Sequence, residues 1–343
     1  MILRPKTSPL HLGTPAGTTT AAPMTAVPAW LRRAIPDAQS LAGKEVADIA
    51  LIAGAASGAL DAVVRRRERW GGAWRQRLAL AAAAATAKQA GRVEDEAALR
   101  DAVLLTRPGD DVGPAGRMLL AWRRLATRPS EDLLTERNLA AVLEEFGHAP
   151  DDEAVSDLRG ELRRLAAGGM VETLTGAFIA AERYGFGRAV GAWLADVLVA
   201  QRLGWAHAVP LLGTEAALGL RASRSLSGPV VVTATGIETN GEWAKILLAA
   251  QARTALRAID LFSDLERRAE KLLAVAPKLR AKGADAVVDR LLNDDALVAS
   301  RGGKREQKCG MSDRGLRRLF DRLQKLGAVR ELTGRPTFRI YGL

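Results

Sequence analysis

Five cations near the carboxyl end share one side of a short periodic segment, an array suited to phosphate oxygens. The run from Met311 to Leu343 reads MSDRGLRRLFDRLQKLGAVRELTGRPTFRIYGL. In it Leu316, Leu319, Phe320, Leu323 and Leu326 recur at helical spacing, which predicts one buried stripe. Arg314, Arg318 and Lys325 then project opposite that stripe, with Arg317 and Arg322 on its flanks. Guanidinium groups bind phosphate through paired N–H donors, and each phosphate neutralised releases counterions. Ser312 suits the N-cap, Asp313 the positive end of the helix dipole and Gly327 the stop. Asp321, one turn after Arg317, is placed to pair with it.

The residues after Gly327 make the pattern more specific. Val329 to Leu332 predicts a short strand, Thr333, Gly334, Arg335 and Pro336 a turn, and Thr337 to Tyr341 a second strand in which Phe338 and Ile340 alternate with polar neighbours. A cationic helix leading into a hairpin is the layout of a winged helix-turn-helix, whose helix enters the major groove while the wing touches the backbone. The expected DNA contacts are Arg314, Arg317, Arg318 and Arg322 on the helix, Lys325 beside them and Arg335 on the wing. One departure concerns the preceding helix of such a motif. Only Asp295 to Ser300 is available for it before Arg301–Gly310, RGGKREQKCG, which reads as a loop whose Arg301, Lys304, Arg305 and Lys308 also reach phosphates.

Charge points to the same end of the chain. The full sequence carries a net charge of +11, and residues 277 to 343 hold 16 Lys and Arg against 8 Asp and Glu. A basic excess gathered in one small module is the electrostatic footprint of a polyanion binder.

Other chemistry finds less support. His11, His148 and His207 are too far apart for metal-ligand spacing, and neither Cys309 nor any serine has a nearby histidine to activate it. Phosphate-binding loops of the Walker type and GxGxxG fingerprints are missing from the sequence. Glu94, Asp95, Glu96 and Asp101 form an acidic cluster, followed by Asp110 and Asp111 after a proline turn. Acidic residues at a helix start complement its dipole, and Glu96 with Arg100 makes a favourable i, i+4 pair. The expectation is a non-enzyme with no cofactor and no metal.

The elements that must position the cations are helical. The pattern predicts helices at 41–67, 73–90, 94–106, 114–127, 135–146, 152–167, 171–184, 187–203 and 206–222, joined by short links that favour antiparallel neighbours. Ser223–Gly241, with its β-branched run Val230–Thr235, reads as a loop with one short strand. A long helix from Glu242 to Ala276 follows, Pro277 stops it, and Ala284–Asn293 opens the last module. The fold class is mainly α: a multi-helical bundle or array with a small C-terminal winged helix-turn-helix domain. The domains are a disordered tail at 1–36, a multi-helical body at 37–276 and the winged module at 277–343.

Hydrophobic residues make up 48% of the sequence but aromatic ones only 4%, so Ala, Leu and Val must build the core around seven tryptophans. A single cysteine excludes an intramolecular disulfide and favours a reducing compartment. No apolar run reaches the roughly 18 residues of a membrane span, and Leu78–Ala87 is the longest candidate. The expected setting is cytoplasmic, without membrane contact. Pro5, Pro9, Pro15, Pro23 and Pro28 stand among small polar residues in a tail with no acid before Asp37, a disordered composition. Met24 offers an alternative start to Met1.

The blocks LALAAAAATAKQAGRVEDEAALRDAVLLTRPGDDVGPAGRMLLAWRRLA, LADVLVAQRLGWAHAVPLL, AEKLLAVAPKLRAKGADAVVDRLLNDDALVAS and LRRLFDRLQKLGAVRELTGRPTFRIYGL resemble an uncharacterised bacterial family. It is a domain of unknown function found mainly in rhizobial and related alphaproteobacterial genomes, often on plasmids, and the resemblance covers about residues 30 to 343. The tail also resembles winged-helix tails attached to Fic-type proteins, but the HxFxxGNGR motif of their active site is missing, so that chemistry is not carried over. Residues and resemblance together suggest a DNA-binding regulator or plasmid-maintenance factor whose helical body senses, dimerises or recruits. The alternatives are a helical interaction scaffold whose winged domain contacts protein, and a helical enzyme built on Asp95 and Asp101.

Overall fold

The computed structural model describes residues 27–36, 40–41, 43–107, 109–215, 241–299, 311–335 and 337–343. Among them the chain is mainly helical. Helices α1 Ala29–Ala34, α2 Val46–Arg65, α3 Gly71–Gln89, α4 Glu96–Leu104, α5 Gly113–Thr127, α6 Glu136–Glu145, α7 Asp152–Ala167, α8 Met170–Arg183 and α9 Gly187–Arg202 come first. Then follow α10 Gly241–Val275, α11 Ala284–Asn293, strand β1 Leu297–Val298, α12 Asp313–Lys325 and strands β2 Arg330–Glu331 and β3 Ile340–Gly342.

Local chemistry explains many of these boundaries. Asp95 and Asp151 each accept the amide three residues on, from Ala98 at 2.8 Å and Ala154 at 2.7 Å, and so cap α4 and α7. Pro114 sits in the first turn of α5, where its missing N–H costs nothing. The predicted bounds of α7 are the observed ones, and α3, α5, α6, α8, α9 and α10 start and end within two residues of expectation.

The 35 residues of α10 form a rod of about 52 Å on which much of the body is assembled. Helix α2 lies along it, α8 and α9 pair with each other, and α3 packs on α5 while touching α4 and α11. Buried tryptophans tie these layers through their indole N–H groups. Trp74 donates to the Ala258 carbonyl at 2.8 Å, Trp122 to the Thr86 hydroxyl at 3.2 Å and Trp193 to the Ala121 carbonyl at 3.0 Å. Trp74 also meets Phe262 of α10 edge to face, with centroids 5.4 Å apart. Gly213 lies so close to Trp122 that a Cβ there would fall 2.5 Å from the indole. One apolar cluster runs from Leu31 to Leu343 and includes the inward side of α12, so body and C-terminal segment share a core.

The C-terminal strands form an antiparallel sheet in the order β1, β3, β2, with Leu297 opposite Tyr341, Val298 opposite Ile340 and Glu331 opposite Tyr341. Alternation gives it two apolar faces. Leu297 and Tyr341 join the main core, while Ala296, Val298 and Ile340 pack against Leu104 and Leu105 at the end of α4. Beneath this sheet lies Asp295, whose side chain has no exposed surface. Arg100 of α4 reaches one of its oxygens at 2.6 Å, Arg77 of α3 pairs with the other, and Arg77 also donates to the Asp295 carbonyl at 3.2 Å. Burial would raise this carboxyl's pKa, but Arg77, Arg100 and the more distant Arg123 hold it below the ordinary range.

Several expectations need correction. The helix expected at 206–222 does not form over 206–211. Instead His207 bridges Pro129, and the amides of Leu211 and Leu212 donate to Asp196 at 2.7 and 3.2 Å, introducing a single 3-10 turn at Leu212–Glu215. Residues 216–222 and most of the 223–241 loop lie outside the described residues, although Gly241 itself begins α10. The short helix expected at 295–300 is replaced by β1, because Leu297 and Val298 have apolar ground on both sides of a sheet. Arg100 pairs with the distant Asp295 and not with Glu96. The tail expected to run unstructured to residue 36 includes α1, anchored by the buried Leu31 and by Arg32 on Asp260 at 2.5 Å. The expectation that no apolar run reaches the roughly 18 residues of a membrane span is also corrected, by length and composition alone. Helix α2 has 20 residues and a mean hydropathy of 1.6, with a third of that window buried in the fold.

Two outcomes follow for stability. Asp295→Ala should strand the buried guanidinium of Arg100 and the half-buried one of Arg77 and cost about 3–5 kcal/mol in urea unfolding, whereas a loss below about 1 kcal/mol would contradict the reading. Burial raises the Asp196 carboxyl to about 8, even though the Leu211 and Leu212 amides pull it down. Between the unfolded and folded values the folded state holds a proton that the unfolded chain releases, so stability should fall as pH rises from about 4 to 8, by on the order of 1 kcal/mol per unit. Unfolding series across pH should show that decline in the native chain and a flatter one in Asp196→Asn; identical profiles would refute it.

Candidate nucleic-acid interface

Helix α12 is built as its sequence requires. Ser312 adopts an extended conformation and its hydroxyl accepts the Gly315 amide at 3.2 Å, which opens the helix. Leu316, Leu319, Phe320 and Leu323 are buried, and Phe320 stacks on Tyr341 of β3 with centroids 4.6 Å apart. Gly327, with φ +66°, turns the chain out of the helix. Leu326, expected in the buried stripe, is 48% exposed, because it is the C-cap residue just past the last turn of α12.

Arg314, Arg317, Arg318, Arg322 and Lys325 are all exposed, and among the described residues none is joined to a carboxylate. Arg322 donates at 3.3 Å to the Lys278 carbonyl, which leans it toward the turn after α10. The pair expected between Arg317 and Asp321 is not formed. Asp321 instead acts on Arg339, whose pKa is raised first by the Tyr341 side chain, then by Glu331 and more weakly by Asp321. The stacking of Phe320 on Tyr341 places the middle of α12 on the returning strand. From Arg314 to Lys325 the cations spread over about 16 Å of helix.

The contrast with the body is one of pairing. Arg66, Arg124, Arg183 and Arg253 each meet a glutamate, as do Arg77 and Arg100 the single Asp295. Neutralised guanidinium groups hold helices together, whereas those of α12 keep their full charge for solvent or a ligand.

The hairpin beyond α12 is shorter in its ladder and longer in its tip than expected. Pairing covers Arg330–Glu331 and Ile340–Gly342, extended by the Leu332 amide to the Ile340 carbonyl at 2.8 Å. The Thr333 hydroxyl accepts the Ile340 amide at 3.2 Å, and Arg339 Nε donates to the Arg335 carbonyl at 3.3 Å. Gly334 takes φ +60°, as the expected turn requires. Phe338 does not alternate within a strand: it lies outside the ladder with φ +52° and its surface is 57% exposed. Arg335, expected as a free wing contact, is tied to Asp101 of α4. Residues 301–310, with Arg301, Lys304, Arg305, Lys308 and Cys309, lie outside the described residues, as do His11 and Pro336.

Three members of the acidic cluster serve structural partners. Asp95 caps α4, Glu94 accepts the Val93 amide at 3.1 Å and Asp101 holds Arg335. Asp111, after the proline turn, accepts the Gly113 amide at 3.0 Å. His148 packs edge-on against Phe186, with centroids 5.2 Å apart, and burial lowers its pKa despite a hydrogen bond to the Phe186 backbone. Asp295 and its arginines escaped sequence reasoning, although an acid placed directly before the apolar Ala296–Ala299 run was a signal that it would have to be paired.

No curated protein and no solved structure matches the chain. The family described as "Protein of unknown function (DUF1403)" matches residues 15–343, nearly the whole length, and the chain belongs to that family.

Proposed function

We propose that α11, β1, α12, β2 and β3 form a winged helix-turn-helix unit that binds duplex DNA, and that the protein is a cytoplasmic regulator or plasmid-maintenance factor. The observation that carries this reading is the set of five exposed cations on α12 with no carboxylate partner among the described residues, beside a hairpin bearing Arg330, Arg335 and Arg339. An α-helix fits the width of a major groove by its diameter, and a hairpin at its end reaches the flanking backbone. Sheet order β1, β3, β2 supports the same layout, because a strand before the helix pairs with the last strand of the hairpin. Where the helix preceding α12 in such a motif was expected the described residues hold β1, and residues 300–310 lie outside those described.

A second reading is a helical scaffold whose winged unit contacts protein, in a homodimer or with another partner. The exposed Leu326 favours it. Salt dependence separates the two. If five phosphates are neutralised, log affinity for a duplex should fall against log salt with a slope of about −4.5. Arg314→Ala with Arg318→Ala should make the slope shallower by about 1.8 and weaken binding without altering helical circular dichroism. Affinity that does not change with salt, or a stable protein partner with no duplex binding, would overturn the DNA reading.

Asp101 gives an independent check on the wing. Its carboxylate competes with phosphate for Arg335. Asp101→Asn should release that guanidinium, tighten duplex binding and steepen the salt slope by about 0.9. Unchanged or weaker binding would remove Arg335 from the set of contacts.

A further inference from the structure

Phe338 has a conformation and a position that the fold does not explain. Its φ of +52° lies where bulky L side chains are rare, and its ring is largely exposed, so burial gives no compensation for the backbone. Four residues earlier in the same hairpin the chain uses Gly334 at φ +60°, the residue that adopts this conformation without strain. The tip is held in place on both sides of the ring, by Thr333 on the Ile340 amide and by Arg339 on the Arg335 carbonyl. Thr337, Arg339, Gly334 and Arg335 around it are also exposed, so the ring stands among polar and cationic groups and not within an apolar patch.

We propose that Phe338 is a nucleobase contact: a ring held out at the hairpin tip that inserts at a base step of duplex DNA through the minor groove, while Arg330, which is exposed and without a carboxylate partner among the described residues, takes an adjoining phosphate. This assignment rests on the DNA reading above and deepens it. Apolar wedges act in this way by partly unstacking a step and bending the duplex, most easily at pyrimidine–purine steps. A lone aromatic ring flanked by cations matches a base with its phosphates better than it matches an apolar protein face.

The test uses the full chain and a duplex carrying 2-aminopurine at a pyrimidine–purine step. Native protein should raise the 2-aminopurine fluorescence as the step opens, and Phe338→Tyr should retain the effect. Phe338→Gly should lose it and bind about tenfold more weakly, the scale of one lost base–aromatic contact. The same variant should melt at the native temperature or above, because glycine relieves the backbone. Native binding with an unchanged signal in Phe338→Gly overturns this assignment alone, as does a variant that melts markedly lower, which would make the ring a structural element. Absence of duplex binding by the native chain overturns the DNA reading and this assignment with it.

Discussion

The carboxylate of Asp295, shut away from water between Arg77 of α3 and Arg100 of α4, is the interaction on which the C-terminal sheet and the helix packed on it depend. A buried ion pair of this kind contributes little net stability, yet removing one member leaves charges that neither water nor protein can satisfy. Its value here is positional. It fixes the start of β1 over two helices of the body, and Gly342 of β3 passes so close above that a Cβ would lie 2.7 Å from the Asp295 carbonyl. Arg268 of α10 adds a bond at 3.2 Å to the Leu343 carbonyl. The sheet therefore has a defined place, and it provides the floor on which Phe320 and the leucines of α12 pack.

With that floor in place, the outward direction of the arginines follows without further specification. A helix whose Leu316, Leu319, Phe320 and Leu323 are committed inward has one side left for Arg314, Arg317, Arg318, Arg322 and Lys325. Their spread of about 16 Å is about twice the screening length of about 8 Å at physiological salt, so each charge adds to the field of its nearest neighbours on the helix. The body does not dilute this field, since many of its own arginines are spent on carboxylates. Arg335 stands between the two regimes, at the hairpin tip yet paired with Asp101 of the body.

Much of the helical body was legible in the sequence because its determinants are local. Asp151 before an apolar-periodic run marks the start of α7, Ser312 and Gly327 bracket α12, and Leu-rich spacing identifies its inward face. What was not legible depends on partners far away in the chain. Arg100 has a carboxylate four residues earlier in Glu96 and a competing one 195 residues later in Asp295, and only the three-dimensional fold brings the second within reach. The 206–211 segment has helix-like composition, but a bridge to Pro129 and the carboxyl of Asp196 claim its backbone. Leu326 continues the spacing of the stripe and yet lies past the end of the floor. For the candidate site, the helix cations were read correctly as an exposed set, whereas the pairing of Arg335 and the backbone of Phe338 were invisible to periodicity.

The most direct measurement of the central claim is arginine-selective chemical modification of the full chain with phenylglyoxal, mapped residue by residue in the presence and absence of duplex DNA. The account expects Arg314, Arg317, Arg318 and Arg322 to react readily in the free protein and to be protected by the duplex, with the buried Arg100 unreactive throughout. Equal reactivity of the α12 arginines with and without DNA, or protection confined to arginines of the helical body, would contradict it.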